Sequence, residues 1–138
     1  MSSVDYTDNG EQILRELEEA LQKAARMIGG SIEGHAKEAC PVDTGLLRNS
    51  ITYAIGGEAP AEQMYTSNDG GAVGQYTGQA PNDKKGEVTV YVGTNVQYAP
   101  YQELGAPNRG IEARPFIRPA FEDNTQEFEQ IFKKCLGK

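Results

Sequence analysis

Apolar side chains recur every three or four residues across the first quarter of the chain, the spacing of one face of an α-helix. The stripe keeps its phase as far as Ala39. Asp8 or Asn9 can cap the start, because a short polar side chain accepts hydrogen bonds from the free N–H groups of a first turn. Pro41 ends the pattern, since the residue before a proline is pushed out of helical geometry. We predict one long helix over residues 9–39.

Two adjacent glycines, Gly29 and Gly30, interrupt this stripe. Each costs about 1 kcal/mol relative to alanine in a helix interior. Because the apolar positions stay in phase on both sides, we expect one helix that is bent or loosened here. Close approach of another backbone is the expected reason for glycine.

A turn and a strand are predicted for residues 41–55. Asp43 or Thr44 can cap a short helical turn over residues 45–49. The alternation of apolar and polar positions that follows predicts a strand over residues 50–55, which ends at a pair of glycines.

Residues 56–86 differ from the segments on either side, since they are rich in glycine and poor in aliphatic side chains. Asn-Asp-Gly-Gly at 68–71 is a strong hairpin-turn signal between two strand-like segments. We predict a long, partly flexible β-hairpin arm, because a structureless loop of this length is unusual in a compact domain. A disordered insertion is the alternative.

Period-two alternation returns after the arm, with Val88, Val90 and Val92 on one face. Residues 87–105 are therefore assigned to a strand and a loop. We expect the chain to remain extended over residues 96–101, as far as a proline-flanked pair of tyrosines.

Prolines and glycines mark residues 106–117 as a crossover with one specific path. Apolar spacing then predicts a C-terminal helix over residues 118–136, with Pro119 tolerated only in its first turn. These elements predict a single α+β domain, 1–138. A long N-terminal helix and a C-terminal helix would pack on a small, mostly antiparallel β-sheet that carries a projecting hairpin arm.

Composition narrows the classes of function. With 20 acidic and 13 basic residues in 138, the net charge is −7, and a surface this acidic is a poor general binder of nucleic acid. Cys40 and Cys135 are far apart and belong to no ligand-spaced cluster, so we predict no metal site and a reducing compartment. The first residues lack a signal peptide, and no apolar run approaches the length of a membrane span. We expect a soluble protein made in a cytoplasm, with no cofactor.

No catalytic residue is predicted. His35 is the only histidine, and no motif places a serine or cysteine nucleophile beside it, so a solvated or half-buried helix histidine is favoured over a base. Cys40 has no nearby basic residue to activate it and is interpreted as a buried structural thiol.

Three arginines, Arg109, Arg114 and Arg118, lie within ten residues of an otherwise acidic chain. They could bind phosphate, neutralise carboxylates such as Asp43 or Glu103, or pair with a neighbouring subunit. Structural or intersubunit ion pairing is the favoured interpretation.

Tyr91, Tyr98 and Tyr101 gather around Pro100. Tyrosine suits half-buried surfaces, because its ring is apolar and its hydroxyl can remain in water. The cluster is more typical of a protein interface than of an active site.

Three motifs together resemble a known family. They are P-V-D-T-G-x-L-R-x-S-I at 41–51, V-G-T-x-V-x-Y-A-x-Y-x-E-x-G at 92–105 and A-R-P-F-x-R-P-A at 113–120. In this order they resemble the phage tail-component family. Its members sit at the head–tail junction of long-tailed double-stranded DNA phages and are called neck, connector or tail-completion proteins. The resemblance covers roughly residues 10–55 and 87–136.

The resemblance implies a non-enzymatic virion protein, made in the host cytoplasm, that joins capsid to tail. It would form a ring of six or twelve copies around the DNA channel. The implied partners are further copies of itself, head-completion or adaptor proteins, and tail-tube or tail-terminator proteins. An acidic chain agrees with this role, because like charge lets double-stranded DNA slide past without sequence-specific binding. The alternative is a non-virion assembly factor or protein-binding module used during tail assembly.

The motif positions also nominate a subunit interface. We expect the segments at 41–51 and 113–120 to lock together, while the loops and the 56–86 arm dock onto neighbours. The residues expected to contribute to the interface or to its motifs are Asp43, Thr44, Gly45, Arg48, Tyr98, Tyr101, Glu103, Arg109, Arg114 and Arg118.

Overall fold

Helices of very different length surround two small antiparallel sheets in the computed structural model, which describes residues 10–43 and 45–137. The helices are α1 (Gly10–Ala39), α2 (Leu46–Ser50), α3 (Ala99–Leu104), α4 (Ile117–Glu122) and α5 (Thr125–Cys135), and a 3-10 turn spans Pro107–Arg109. The strands are β1 (Thr52–Ile55), β2 (Met64–Thr66), β3 (Val73–Gln75) and β4 (Val90–Gly93). This arrangement confirms the predicted α+β class. The predicted caps Asp8, Asn9 and Thr44 lie outside the described residues.

Helix α1 follows the predicted element closely. Its 30 residues span about 45 Å and pass through Gly29 and Gly30 without a break. A Cβ atom at Gly29 would lie 2.6 Å from Cδ2 of Tyr53, so glycine is required because the tyrosine ring packs against the helix. The close neighbour is therefore a side chain, and our expectation of a backbone contact was wrong.

The apolar stripe of α1 is buried along only part of its length. Burial begins at Ala24 and Ala25, which are 2% and 6% exposed. Closer to the N-terminus, Ile13, Leu14 and Leu17 are 60%, 58% and 44% exposed. The first third of the helix therefore extends beyond the domain.

Two separate antiparallel pairs form the predicted small sheet and the predicted hairpin. Strand β1 pairs with β4, and Thr52 lies opposite Gly93 in their register. Strand β2 pairs with β3, and Tyr65 lies opposite Gly74. The second pair is the predicted hairpin, with its turn at residues 68–71. In this turn the Asp69 carboxylate accepts hydrogen bonds from the Ser67 hydroxyl and from the Gly71 backbone N–H.

The hairpin packs against the domain instead of projecting freely. Tyr65 is only 9% exposed and belongs to the hydrophobic core. The Tyr76 hydroxyl donates to the Ser50 carbonyl oxygen at 2.9 Å and accepts from the Asn95 backbone N–H at 3.0 Å. Because a buried polar group stabilises a fold only when its hydrogen bonds are made, these contacts fix the hairpin to the end of α2 and to the segment after β4.

The hydrophobic core of the described residues is a cluster of side chains from the helices, from the hairpin and from residues that directly flank these elements. Its buried members are Ile32, Ala36, Cys40, Leu47, Ile51, Tyr65, Val96, Ala99, Phe116, Ala120 and Phe128. Burial also raises the pKa of the Cys40 thiol to about 11, which keeps that cysteine protonated and unreactive at neutral pH.

Two predicted segments differ from the structure. Residues 96–101 were expected to be extended, but Ala99 begins α3 and Pro100 occupies its first turn, a position that proline tolerates because no intrahelical N–H bond is lost there. The continuous helix predicted over residues 118–136 is interrupted after α4. The side-chain amide of Asn124 donates to the Ala120 carbonyl at 3.0 Å, replacing the backbone bond of a continuous helix.

The packing of Tyr53 on α1 gives a paired stability prediction. Gly29→Ala should lower the free energy of unfolding by about 1–3 kcal/mol, because its methyl group overpacks against the ring. Gly34→Ala is the matched control, since a Cβ there meets nothing within 4 Å. It should stabilise the helix by roughly 0.5–1 kcal/mol. Urea unfolding of both variants checks the prediction, and equal effects of the same sign would contradict it.

Candidate subunit interface

The C-terminal helices are attached to α3 through one carboxylate. Oε1 of Glu103 accepts hydrogen bonds from the backbone N–H groups of Phe116 and Ile117 at 3.0 and 2.9 Å, and Oε2 accepts from that of Arg118 at 3.1 Å. These donors lie at the start of α4, where no intrahelical carbonyl is available to them. Glu103 therefore fixes the position of α4 relative to α3.

The electrostatics of Glu103 agree with this role. Burial of the carboxyl group favours its neutral form, but the three backbone hydrogen bonds and the nearby Arg118 charge outweigh burial. Together they hold the pKa of Glu103 below its ordinary value. Hydrogen bonds to an ionised acceptor are stronger than those between neutral groups.

The path between α3 and α4 is tightly determined. Gly105 has φ +76°, and a Cβ there would lie 2.8 Å from the backbone nitrogen of Ala113. Ala106 and Ile111 exchange two backbone hydrogen bonds of 2.9 and 3.0 Å across the intervening turn. The backbone N–H of Arg114 then donates to the carbonyl of the α3 residue Gln102 at 2.7 Å. These contacts constrain the path of the crossover.

A recess of about 710 Å³ lies where the first and last sequence motifs meet. The crossover, α3, the segment that enters α2 and the hairpin turn form its walls. Four of the predicted residues line it: Asp43, Gly45, Tyr98 and Arg114. The remaining lining residues are Pro41, Val42, Leu46, Leu47, Ala72 and Gln102.

Gly45 shows how one wall of the recess is built. Its φ of +82° lies in the left-handed region that favours glycine, and a Cβ atom there would collide with the Asn68 side-chain amide. Asn49 holds the hairpin in this place, because its amide donates to the Thr66 carbonyl at 2.8 Å and to the Asn68 side-chain oxygen at 3.0 Å. We did not predict these asparagines, although Asn68 lies within the hairpin-turn signal.

The predicted aromatic and basic residues lie around the crossover. Tyr98 and Tyr101 are 42% and 39% exposed, and the Arg109 guanidinium lies 5.2 Å from the centre of the Tyr101 ring, within the range of a cation–π contact. Arg114 and Arg118 are also exposed. Among the described residues, no ion pair joins these arginines to a carboxylate.

Five of the predicted residues do not line the recess: Arg48, Tyr101, Glu103, Arg109 and Arg118. Arg48 lies half-buried on α2, and Glu103 is turned towards the start of α4. Thr44 lies outside the described residues. His35, which we did not assign to the interface, lies on α1 with Nε2 at 3.1 Å from the Glu127 carboxylate of α5.

Within residues 10–43 and 45–137, no group of three or more His, Cys, Asp and Glu side chains is arranged to hold a metal ion. Over the same residues, no helix combines the length and apolarity needed to cross a bilayer.

The Glu103 contacts predict a pH-dependent stability. Because its pKa is lowered by folding, Glu103 contributes stability that is complete above the ordinary glutamate pKa of about 4.3 and is lost as pH falls through the lower folded pKa. Glu103→Gln should cost about 1–3 kcal/mol at neutral pH through the lost charge-assisted bonds, and the difference from wild type should shrink in acid.

Urea unfolding of both proteins from neutral pH to pH 3 measures this effect. Glu112→Gln, at an exposed position in the same crossover, is the control and should leave the profile nearly unchanged. If Glu103→Gln lowered the free energy of unfolding by the same amount at every pH, a role for the ionised carboxylate would be contradicted.

One family model matches residues 6–105 of the chain, and its description is "Bacteriophage HK97-gp10, putative tail-component". The match includes α1, α2, both β-pairs and α3, and it ends at the glycine that begins the crossover. Among curated proteins and solved structures, the searches matched nothing.

Proposed function

Because the chain belongs to the bacteriophage HK97-gp10-like tail-component family, we propose that it is a structural virion protein of the head–tail junction. Several copies would form a ring around the DNA channel and join the capsid to the tail. The protein would act through binding surfaces and not through catalysis. The family match over residues 6–105 supports the phage structural role.

The observation that carries this proposal is the exposed surface of tyrosine and arginine around the crossover, where Tyr98 and Arg114 line the recess. Tyr98 and Tyr101 leave about two-fifths of their surface in solvent, yet the crossover beside them has a closely fixed backbone. Tyr and Arg are the residue types most enriched at protein interfaces and at their energetic centres. A fixed backbone also lowers the entropy that is lost on binding.

The charges around the crossover suit contacts between copies of the protein. Arg109, Arg114 and Arg118 are exposed, and the chain has 20 acidic residues to 13 basic ones. A neighbouring subunit can therefore supply carboxylates that each guanidinium would bind through two hydrogen bonds. Asp43 lies on the same recess as Arg114 and can bind a cation of the neighbour.

The proposed neighbours follow from the proposed location of the protein at the head–tail junction. The ring, of six or twelve copies, would meet a head-completion or adaptor protein on one side and a tail-tube or tail-terminator protein on the other. Double-stranded DNA would pass through without sequence-specific binding. The net charge of −7 supports this, because a surface with the sign of the phosphates does not retain them.

Mass analysis of purified virions tests this function. The proposal predicts that the protein is present at roughly the copy number of one ring, and that the purified protein forms rings visible by negative-stain electron microscopy. Absence from the virion would contradict the proposal and favour the alternative, an assembly factor that leaves before maturation.

Variants of the recess give a second prediction. Arg114→Ala or Asp43→Ala should reduce the joining of capsids to tails, because each removes an exposed charge from the proposed contact. The thermal unfolding temperature of the purified protein should change little, since both side chains are exposed. Lys84→Ala, an exposed cation between the hairpin and β4, is the control. Fully joined, infectious particles from both recess variants would show that this surface is not an interface.

A further inference from the structure

Helix α5 is held to the rest of the domain by few buried side chains. The structure describes all of its residues, and among them only Phe128 is buried. Ile131 and Cys135 are half-buried, and the other residues of the helix are exposed. An element with so little buried apolar surface separates from a domain at a lower free energy than the elements of its core. Helix α5 can therefore leave its place while the rest of the domain remains folded.

The polar contacts of Glu127, which join α5 to α1, lie at the surface. Its Oε2 accepts a hydrogen bond from the Ser31 hydroxyl and lies 3.1 Å from Nε2 of His35. The His35 and Glu127 side chains are 31% and 45% exposed, and ion pairs this exposed contribute little to stability. These contacts define where α5 binds more than how tightly it binds.

The sequence of α4 and α5 suits one continuous helix. Apolar spacing predicts a single helix over residues 118–136, and residues 120–135 contain neither proline nor glycine, the two residues that most disfavour a helix interior. The observed break is confined to one residue. Asp123 has φ −83° and ψ −5°, in the helical region, whereas Asn124 has φ −128° and ψ 21°.

Asn124 has the properties of a hinge. Its backbone N–H donates to the Phe121 carbonyl at 3.3 Å, and its side-chain amide donates to the Ala120 carbonyl at 3.0 Å. In a continuous helix the backbone N–H of Asn124 would itself donate to the Ala120 carbonyl. Rotation of this one residue therefore exchanges one set of local hydrogen bonds for another.

We propose that copies of this protein exchange α5 when they assemble. Asn124 becomes helical, α4 and α5 join into one helix of about 28 Å, and α5 of each copy takes the place on the next copy that its own α5 occupies here. The receiving site is complementary to the incoming helix because it already binds the same sequence. Glu127 of one copy then contacts Ser31 and His35 of the next.

This exchange is a heterologous contact, since each copy gives α5 to one neighbour and receives α5 from the other. Such contacts close into a ring when the rotation between subunits permits it. The contacts that α5 loses within its own copy are regained on the neighbour, so the exchange needs little binding energy of its own. The inference rests on the proposed function, because it names a contact by which the proposed ring would close.

Cross-linking between position 27 and Cys135 distinguishes the two places of α5. The Met27 and Cys135 sulfur atoms are 3.6 Å apart, so a short bis-maleimide should join Cys135 to a cysteine introduced by Met27→Cys. Dilute protein should give a chain linked to itself, which migrates as a monomer under denaturing conditions. Assembled particles should give on the order of tenfold more covalently linked copies than dilute protein, because assembly raises the effective concentration of the neighbour. The Met27→Cys, Cys135→Ser double variant is the matched control and should give neither product.

Substitutions of the hinge give a second measurement. In the Met27→Cys protein, Asn124→Ala should yield roughly fivefold more linked dimer than Asn124→Gly at equal concentration, because alanine favours the continuous helix and glycine disfavours it. Both substitutions remove the same side-chain hydrogen bond, so the comparison isolates the helical preference of the hinge.

Self-linked chains alone, both in concentrated protein and in assembled particles, would overturn the inference, as would equal dimer yields from the two hinge variants. Virion mass analysis reports separately on the proposed function. Protein that is present in virions and only self-linked would reject the exchange alone, whereas linked copies in solution with no protein in virions would reject the junction role alone.

Discussion

The position of α4, and with it the end of the crossover, depends on the carboxylate of Glu103. Its three hydrogen bonds from the first backbone N–H groups of α4 connect two short helices that have little hydrogen bonding of their own. Phe116, one of these donors, is also completely buried in the core. The same contact therefore determines where the core ends and which direction the crossover takes. The exposed tyrosines and arginines lie on a backbone that is constrained by the Glu103 contacts, by the Ala106–Ile111 pair and by the Arg114–Gln102 hydrogen bond.

Local patterns predicted much of the fold. Helix α1, the short α2, the hairpin turn and the strands were readable because each has a period or turn signal within a few residues. The break between α4 and α5 was not predicted from the sequence pattern, because the Asn124 side chain competes with the backbone for the Ala120 carbonyl group. Helix α3 was missed because proline before a tyrosine suggested extended chain, although proline also suits a first helical turn. The length of α1 that lies beyond the domain depends on where α5 ends, which is tertiary information.

The candidate interface was predictable in part. Motifs far apart in sequence nominated Asp43, Tyr98 and Arg114, and the structure places all three at one recess. Glu103 was nominated with them, but its carboxylate is occupied by backbone donors of its own chain. The exposure of Ile13, Leu14 and Leu17 at the start of α1 was not predicted, because their spacing is that of an ordinary buried face. Burial by the same chain and burial by a neighbour produce the same sequence pattern, and only the fold distinguishes them.

The proposed ring requires surfaces through which its copies contact one another, and the recess beside the crossover is the proposed one. Electron cryomicroscopy of the intact virion neck tests this account most directly. The account predicts a closed ring of this protein at the head–tail junction, with the recess and the exposed tyrosines and arginines of the crossover lying against the adjacent copy. A neck without this protein, or a ring in which the recess and the crossover face solvent, would contradict it.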